Sequence, residues 1–194
     1  LKVAEESVGI QEGLEMATYE LQYILKEYKA ELKAKQATEA KIKTIANLIP
    51  GINKILKIKG IGIITAAGFI AEVGDLTRFS HPKQIIKLAG LNLRENSSGE
   101  HKGQTTISKR GRKRLRALLF RAMLPLIAKN EEFKQLHKYY TTRAVNPLKK
   151  MQSITALCGK LIRILYTILT KDIEYDPNKM LQDIHRPEVM TQAS

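Results

Sequence analysis

Cysteine is almost absent from this sequence, in which Cys158 is the only one among 194 residues. No disulfide can form within the chain, as is usual for proteins of a reducing compartment. Cys158 lies in the segment SITALCGKLIRILYTIL, where a small apolar side chain suits a helix. We therefore expect a structural cysteine that neither binds metal nor acts as a nucleophile.

Membrane-directed segments are also lacking. The N-terminal stretch LKVAEESVGIQEG is polar and has no features of a signal peptide. The apolar segment around Cys158 contains Lys160 and Arg163 and is amphipathic, which favours a core helix over a transmembrane span. We expect no membrane partner. The first residue is leucine rather than methionine, which is typical of the interior or C-terminal part of a longer protein.

Acidic residues are few relative to basic ones. The 19 Asp and Glu against 33 Lys and Arg give a net charge of +14 and a pI near 9.8. A balance this basic favours nucleic acid as the partner, with membrane surfaces and acidic proteins as the alternatives. An apolar content of 43% is that of a globular protein, and the length suits one domain with an extension.

Strand-type alternation is scarce, so the sequence predicts a mostly α-helical protein. Between residues 7 and 47, apolar residues recur at steps of four and three along one stripe of a helix: Ile10, Leu14, Ala17, Leu21, Ile24, Tyr28 and Leu32. This seam predicts a coiled-coil-like arm over residues 1–48, through which the chain forms a homo-oligomer; packing on its own domain is the alternative. We expect a compact helical domain over residues 49–175 and a flexible tail over residues 176–194.

Two glycines mark a tight turn in the segment ILKIKGIGIITAAGFIAEVGD. Gly60 and Gly62 separate an apolar lead-in from an apolar helix that we predict from Ile63 to Val73. The pattern looks like a helix-hairpin-helix element, in which N–H groups at the start of the second helix face a DNA phosphate. An ordinary glycine turn between packed helices is the alternative.

A polar loop and a basic helix follow. The segment LTRFSHPKQIIKLAGL predicts a short helix with Ser80 as its N-cap, Pro82 in its first turn and Gly90 at its end. Residues 94–111 have no apolar periodicity, and a loop of this length in a compact domain is usually functional or disordered. A helical pattern returns from Arg112 onward.

Positive charge concentrates in residues 94–116, which contain eight Lys and Arg against two Glu. No aromatic residues are interleaved, which favours contacts to backbone phosphates over base stacking. Cations in the first turns of a helix oppose its dipole, and an anionic partner would relieve that cost. The candidate nucleic-acid-binding residues, including those at the glycine turn, are Lys57, Lys59, Gly60, Gly62, Arg94, Lys102, Ser108, Lys109, Arg110, Arg112, Lys113, Arg114 and Arg116.

Ser98 precedes Gly99 in the same polar loop. A serine hydroxyl attacks a phosphodiester only if a base takes its proton and the developing charge is stabilised. Arg and Lys can supply the stabilisation, but the chain offers no obvious base, although His101 lies nearby. The residues alone therefore favour a phosphate-contacting or turn serine. Glu72 and Asp75 are predicted to end a helix, and we predict no metal site.

Several motifs taken together resemble one known family: IKGIGIITAAGFIAEVGDLTRFSHPKQIIKLAGL, SSG, ISKRGRKRLRALLFRA and CGKLIRILYTILTKDIEYDP. They are similar to the C-terminal domain of the DEDD-type insertion-sequence transposases, which are related to the Piv DNA invertase. The upstream helix resembles the coiled-coil region of that family.

The resemblance implies a DNA recombinase that acts through a covalent serine–DNA intermediate. In this family an N-terminal RuvC-like domain carries four metal-binding acidic residues, where Mg²⁺ is expected, and some members are directed by a structured guide RNA. The catalytic serine, which stands before the glycine after the AGL segment, maps to Ser98. The resemblance also implies a bacterial or archaeal protein of the cytoplasm that associates with the nucleoid.

Two features depart from the family pattern. Leu93 stands where a proline usually follows the GL pair, and the acidic quartet of the family is not recognised within these 194 residues. The chain is therefore expected to hold no cofactor of its own, and to bind DNA but be inactive without the RuvC-like domain. The alternatives are a non-catalytic helix-hairpin-helix DNA-binding module and a tyrosine-type strand-transfer enzyme that uses Tyr139 or Tyr140.

Overall fold

The computed structural model describes residues 13–94, 97–98, 101–102 and 105–185, with the backbone alone at residues 97, 98, 101, 102, 183 and 185. The described helices are α1 (Leu14–Ala46), α2 (Ile52–Leu56), α3 (Ile63–Val73), α4 (Pro82–Leu88), α5 (Lys113–Lys129), α6 (Glu131–Thr142), α7 (Lys150–Lys171) and α8 (Pro177–His185). A 3-10 helix spans Leu76–Arg78, and the short strands are β1 (Leu93–Arg94), β2 (Ser97–Ser98), β3 (His101–Lys102) and β4 (Thr106–Ile107). The prediction of a mostly helical chain with a long N-terminal helix is confirmed.

Helix α1 carries its apolar stripe on an exposed surface. Leu14, Leu21, Ile24 and Tyr28 are each more than half exposed. Ile10, the first member of the predicted seam, lies outside the described residues. The backbone contacts divide the chain after Ile42, and the pairing of α1 with another helix stays a prediction.

The second unit begins at Lys43 and contains the hydrophobic core. Helix α7 supplies much of it, and α4, α5 and α6 pack against α7. Buried side chains recur on α5, α6 and α7 at the three- and four-residue steps of a helix: Leu115, Leu119, Met123, Leu126, Phe133, Leu136, Leu157, Leu161, Ile162 and Leu165. Removing these side chains from water is the main stabilisation of the unit.

The central helix α7 is long and apolar enough, by length and composition alone, to cross a membrane. Its buried residues instead belong to the core. Close to half of its most apolar 18-residue stretch is buried by the rest of the protein. Cys158 lies fully buried on this helix, and burial raises the pKa of its thiol to about 12. A thiol that stays protonated at neutral pH is a poor nucleophile and a poor metal ligand, as expected for a structural cysteine.

The start of α4 differs from the prediction. His81, not Ser80, is the N-cap, because its Nδ1 accepts a hydrogen bond from the backbone N–H of Lys83 at 3.0 Å. The side chain of Gln84 accepts from the N–H of His81 at 3.4 Å, which completes a capping box. Pro82 occupies the first helical position as predicted, and Gly90, at φ 68°, follows the helix end.

Helix α8 occupies part of the segment that was predicted to be a flexible tail. Asp176 accepts a hydrogen bond from the N–H of Asn178 at 2.9 Å, and Pro177 begins the helix at a position where its missing N–H costs nothing. Met180 is buried in the core. Pro177, a residue that would interrupt a helix from within, is here the first residue of one.

Candidate nucleic-acid interface

The polar loop that carries most of the candidate residues contains two antiparallel strand pairs. Leu93 and Arg94 pair with Ile107 and Thr106, and Ser97 and Ser98 pair with Lys102 and His101. The described part of the predicted polar loop therefore pairs as a β-hairpin. Strands of two residues are too short to produce an alternating apolar pattern.

A network of backbone hydrogen bonds closes the foot of this hairpin, here called the hairpin base and made of residues 88–92 and 108–112. The N–H groups of Ser108, Lys109 and Arg112 donate to the carbonyl oxygens of Asn92, Gly90 and Leu88 at 2.9, 3.0 and 2.7 Å. The hydroxyl of Ser108 donates to Oδ1 of Asn92 at 2.6 Å. The AGL and ISKRG motifs, well separated in sequence, thus form one structural element.

Two glycines allow the backbones of the hairpin base to approach closely. At Gly90 a Cβ atom would lie 2.9 Å from the carbonyl carbon of Lys109, and at Gly111 it would lie 2.3 Å from the carbonyl oxygen of Leu88. Both have positive φ, of 68° and 150°, and Lys109 between them adopts φ 53°. A side chain at Gly111 would collide with fixed backbone, so the hairpin base requires glycine there.

Two arginines of the basic cluster are hydrogen-bonded to the protein itself. Nη1 of the half-buried Arg116 donates to the carbonyl oxygens of Ala89 and Lys109, at 3.1 and 3.3 Å. Nη1 of Arg112 donates to the carbonyl oxygen of Glu72 at the end of α3. Ser108, Arg112 and Arg116 were predicted to contact nucleic acid, and these contacts indicate that each also supports the hairpin base.

Ser98 lies on β2, directly opposite His101 in the strand register. Its side chain, like those of His101 and Lys102, is outside what the structure describes, so the catalytic assignment stays a prediction. Arg94 lies exposed on β1, and Lys109 and Arg110 lie exposed just after β4, the strand that pairs with β1. These cations flank the strands that carry the serine.

The first half of α5 forms one wall of a shallow groove, here called the basic groove, of about 540 Å³ between α3 and α5. Its lining residues are Gly68, Glu72, Lys113, Arg114, Ala117, Leu118 and Arg121. The described residues contain no ion pair that involves Lys113, Arg114 or Arg121. Arg121 was not among the predicted residues, although its position seven residues after Arg114 places it on the same helix face.

The glycine turn joins α2 to α3, and its candidate residues divide into two pairs. Gly60 packs on α5, because an added Cβ would lie 3.0 Å from Cα of Leu126, and Lys57 forms an ion pair with Glu174 at 2.9 Å. Gly62, the N-cap of α3, and Lys59 lie exposed at the same turn. Nothing lies within 4 Å of a Cβ added at Gly62, so the start of α3 is open to an approaching anion.

The two acidic residues near the end of α3 have structural contacts. Asp75 accepts a hydrogen bond from the backbone N–H of Thr77 at 2.9 Å and another from the Thr77 hydroxyl, and these bonds lower the pKa of its carboxyl group. The backbone carbonyl oxygen of Glu72 accepts a hydrogen bond from Nη1 of Arg112. Within the described ranges no group of three or more His, Cys, Asp or Glu side chains could hold a metal ion. The described side chains therefore do not fit a resident metal ion.

The tyrosines of the alternative mechanism lie on α6. Their rings pack against each other with centroids 5.8 Å apart, and the guanidinium of Arg143 lies 5.9 Å from the ring centroid of Tyr140. Nε of Arg143 donates to the carbonyl oxygen of Asn146, and Nδ1 of His137 is hydrogen-bonded to Oγ of the buried Ser153. These contacts favour a structural role for Tyr139 and Tyr140.

Comparison of the sequence with known proteins finds a matching family model and several similar proteins. The family model described as Transposase IS116/IS110/IS902 family matches residues 52–138. The chain is 30% identical over 142 residues to the transposase for insertion sequence element IS1111A of Coxiella burnetii, an alignment covering 71% of this chain and 38% of that protein. It is 31% identical over 163 residues to the "Probable family 20 transposase" of Pseudomonas aeruginosa, covering 79% and 47%.

The chain thus spans less than half the length of either of these relatives. The matched region begins at α2 and ends within α6, and it includes the glycine turn, the hairpin base and the basic groove. Residues 52–138 therefore match the family model of the IS116/IS110/IS902 transposases, and the relatives that resemble this chain are named as transposases.

Proposed function

We propose that this chain is the DNA-binding, serine-bearing part of a transposase or site-specific recombinase that acts through a covalent serine–DNA intermediate. The family match, the net charge of +14 and the relatives named as transposases support a polyanionic DNA substrate. The observation that carries the proposal is the hairpin base, because it fixes both ends of the segment that carries Ser98 beside exposed cations.

In the proposed step, Ser98 attacks a phosphorus atom of the DNA strand. A bond forms between Oγ and phosphorus while one phosphorus–oxygen bond of the strand breaks. The serine proton passes to a base, and the departing oxygen gains a proton or remains charge-stabilised. Arg94, Lys102, Lys109 and Arg110 would bind the non-bridging oxygens and offset the negative charge that builds in the transition state.

The proposal includes a RuvC-like domain that binds Mg²⁺ and supplies the metal chemistry. The metal-binding acidic residues of the proposal belong to that domain, and this chain's own residues bind and position the DNA. A structured guide RNA and a homo-oligomer formed through α1 belong to the same proposal. The exposed apolar stripe of α1 supports the latter.

A suicide DNA substrate tests the serine. The full-length protein that carries this chain should trap a covalent protein–DNA adduct, visible on denaturing gels, and Ser98→Ala should abolish it. Ser97→Ala is the matched control, removing a neighbouring hydroxyl and retaining adduct formation. If Ser98→Ala still traps DNA while Tyr139→Phe or Tyr140→Phe does not, the tyrosine mechanism is the right one.

A second candidate function is that of a non-catalytic DNA-binding module built on the glycine turn. The open N-terminus of α3 at Gly62 supports it, because unpaired N–H groups there can bind a phosphate. Under this alternative the full-length protein binds DNA, but no variant or substrate yields a covalent adduct. The adduct assay therefore separates the two functions.

A further inference from the structure

The basic groove lies apart from the hairpin base, and its cations have a different environment. Arg112 and Arg116, which belong to the same basic cluster, donate to carbonyl oxygens of the protein. Lys113 and Arg114 line the groove, and so does Arg121, which lies two turns further along α5. Arg112 and Arg116 thus contact the protein itself, whereas Lys113 and Arg114, together with the later Arg121, line an open groove.

We infer that the basic groove binds one phosphodiester strand of a nucleic acid, and that Arg121 is a phosphate contact together with Lys113 and Arg114. This inference deepens the proposed function and rests on it, because it takes the DNA substrate as the ligand. It adds a binding site between α3 and α5 that does not include the serine hairpin.

The spacing of the cations suits a strand that runs along α5. Arg114 and Arg121 are seven residues apart, which on an α-helix is about 10.5 Å along the axis. That distance corresponds to about three nucleotides of a B-form strand, at 3.4 Å of rise each. Two guanidiniums so spaced can each take a phosphate of the same strand and leave the nucleotides between them over the middle of the groove.

The middle of the groove is lined by small or apolar residues. Ala117 and Leu118 lie between the two arginines on α5, and Gly68 faces them from α3. A Cβ added at Gly68 would lie 3.2 Å from a methyl carbon of Leu118, so the missing side chain keeps this wall low. Sugar rings have apolar faces that suit such a surface. Glu72, the acidic residue of the lining, would repel phosphates and direct them toward the arginines.

The first test removes groove charge and measures how binding depends on salt. Arg114→Gln with Arg121→Gln should reduce the slope of log K against log salt for labelled duplex DNA by about one to two units, since each lost contact removes about 0.9. The matched control, Lys83→Gln with Lys138→Gln, removes two exposed cations outside the groove and should leave the slope unchanged. Fluorescence anisotropy between 50 and 200 mM salt gives both slopes.

The second test fills the groove and keeps every charge. Ala117 is exposed and lines the groove, so Ala117→Trp should block a strand sterically and weaken DNA binding at least about threefold, while the melting temperature stays that of the wild type. If the cations attracted DNA only through their overall charge, with no strand in the groove, the affinity for DNA would not change in Ala117→Trp. Unaltered affinity in Ala117→Trp would overturn the groove as the binding site.

The outcomes separate this inference from the function on which it rests. If the wild-type chain binds no nucleic acid, the proposed function fails. If it binds, but the arginine pair and the control pair have equal slopes, only the groove inference is overturned. Parallel titrations with single-stranded DNA and with RNA identify the strand. A slope reduction confined to the RNA titration would overturn DNA as the strand that the groove binds.

Discussion

At Gly111 the backbone has φ 150°, and an added Cβ would lie 2.3 Å from the carbonyl oxygen of Leu88. Backbone in this region is strained for any residue with a side chain, and the colliding atom is itself fixed by the N–H of Arg112. Because Gly111 has no side chain, two segments that are distant in sequence can approach closely enough to form the hairpin base.

Gly111→Ala should therefore destabilise the protein by about 2–4 kcal/mol, which combines backbone strain with a contact that cannot relax. Thermal unfolding followed by circular dichroism should show a melting temperature lower by about 5–15 °C for a domain of this size. Gly62→Ala is the control, because nothing lies within 4 Å of its added Cβ, and its cost should be below about 1 kcal/mol. Equal melting temperatures would contradict the close approach at Gly111.

The roles of single residues were predictable where neighbours along the chain decide them. Gly90 was placed at the end of a helix because the preceding apolar pattern stops there. The role of Gly111 depends on Leu88, which is remote in sequence and gives no local signal. For the same reason Arg116 was interpreted only as a nucleic-acid contact, since its two carbonyl acceptors come from other segments.

At the scale of elements, the hairpin and α5 form a coupled pair. Arg116 lies in the second turn of α5 and donates to both halves of the hairpin base, through Ala89 and Lys109. A shift of α5 along its axis would therefore move the hairpin with it. This coupling joins the basic groove to the segment that carries Ser98.

Replacing Arg116 by Met should loosen the hairpin base while the core stays intact. Methionine keeps an unbranched apolar side chain but has no guanidinium group, so the hydrogen bonds to Ala89 and Lys109 are lost. A hydrogen bond from a charged donor is worth about 1.5–3 kcal/mol. Amide hydrogen exchange at Ser108, Lys109 and Arg112 should accelerate by tenfold or more, whereas the amides of α7 keep their protection. Arg114→Met, which changes an exposed arginine of the same helix, should leave all of these rates near wild type. Unchanged exchange in Arg116→Met would contradict the coupling.

Helices were predictable from the sequence and the hairpin was not. The buried apolar residues of α3 and α5 recur at three- and four-residue steps, which is why the positions of these helices were predicted closely. The hairpin is polar, and its strands of two residues are held by hydrogen bonds at its base rather than by burial. Helix α8 was missed because Pro177 suggests a break when its place at a helix start is unknown.

For the whole molecule, the core lies in the unit that begins at Lys43. The described part of α1 before that point contributes no buried side chain. Its exposed apolar stripe is a surface that a single copy of the chain leaves in water, at a cost that association would remove.

Removal of residues 1–42 should leave the melting temperature of the remaining chain within a few degrees of the full chain at low protein concentration, because none of the described residues in that segment belongs to the core. The full chain should associate as its concentration rises, and the shortened chain should stay monomeric. Analytical ultracentrifugation of both measures this difference. A shortened chain that unfolds, or that associates as the full chain does, would contradict the assignment of α1 as a separate arm.

The closed hairpin base has a consequence for the length of the segment it carries. Because Asn92 and Ser108 are joined, the residues between them form a loop whose ends are already held together. The entropy lost in closing such a loop grows only with the logarithm of its length, about 0.6 kcal/mol for each doubling. Residues can therefore be added to or removed from the hairpin tip at little thermodynamic cost to the domain. The stability of the domain thus places little constraint on the length of the segment that carries Ser98.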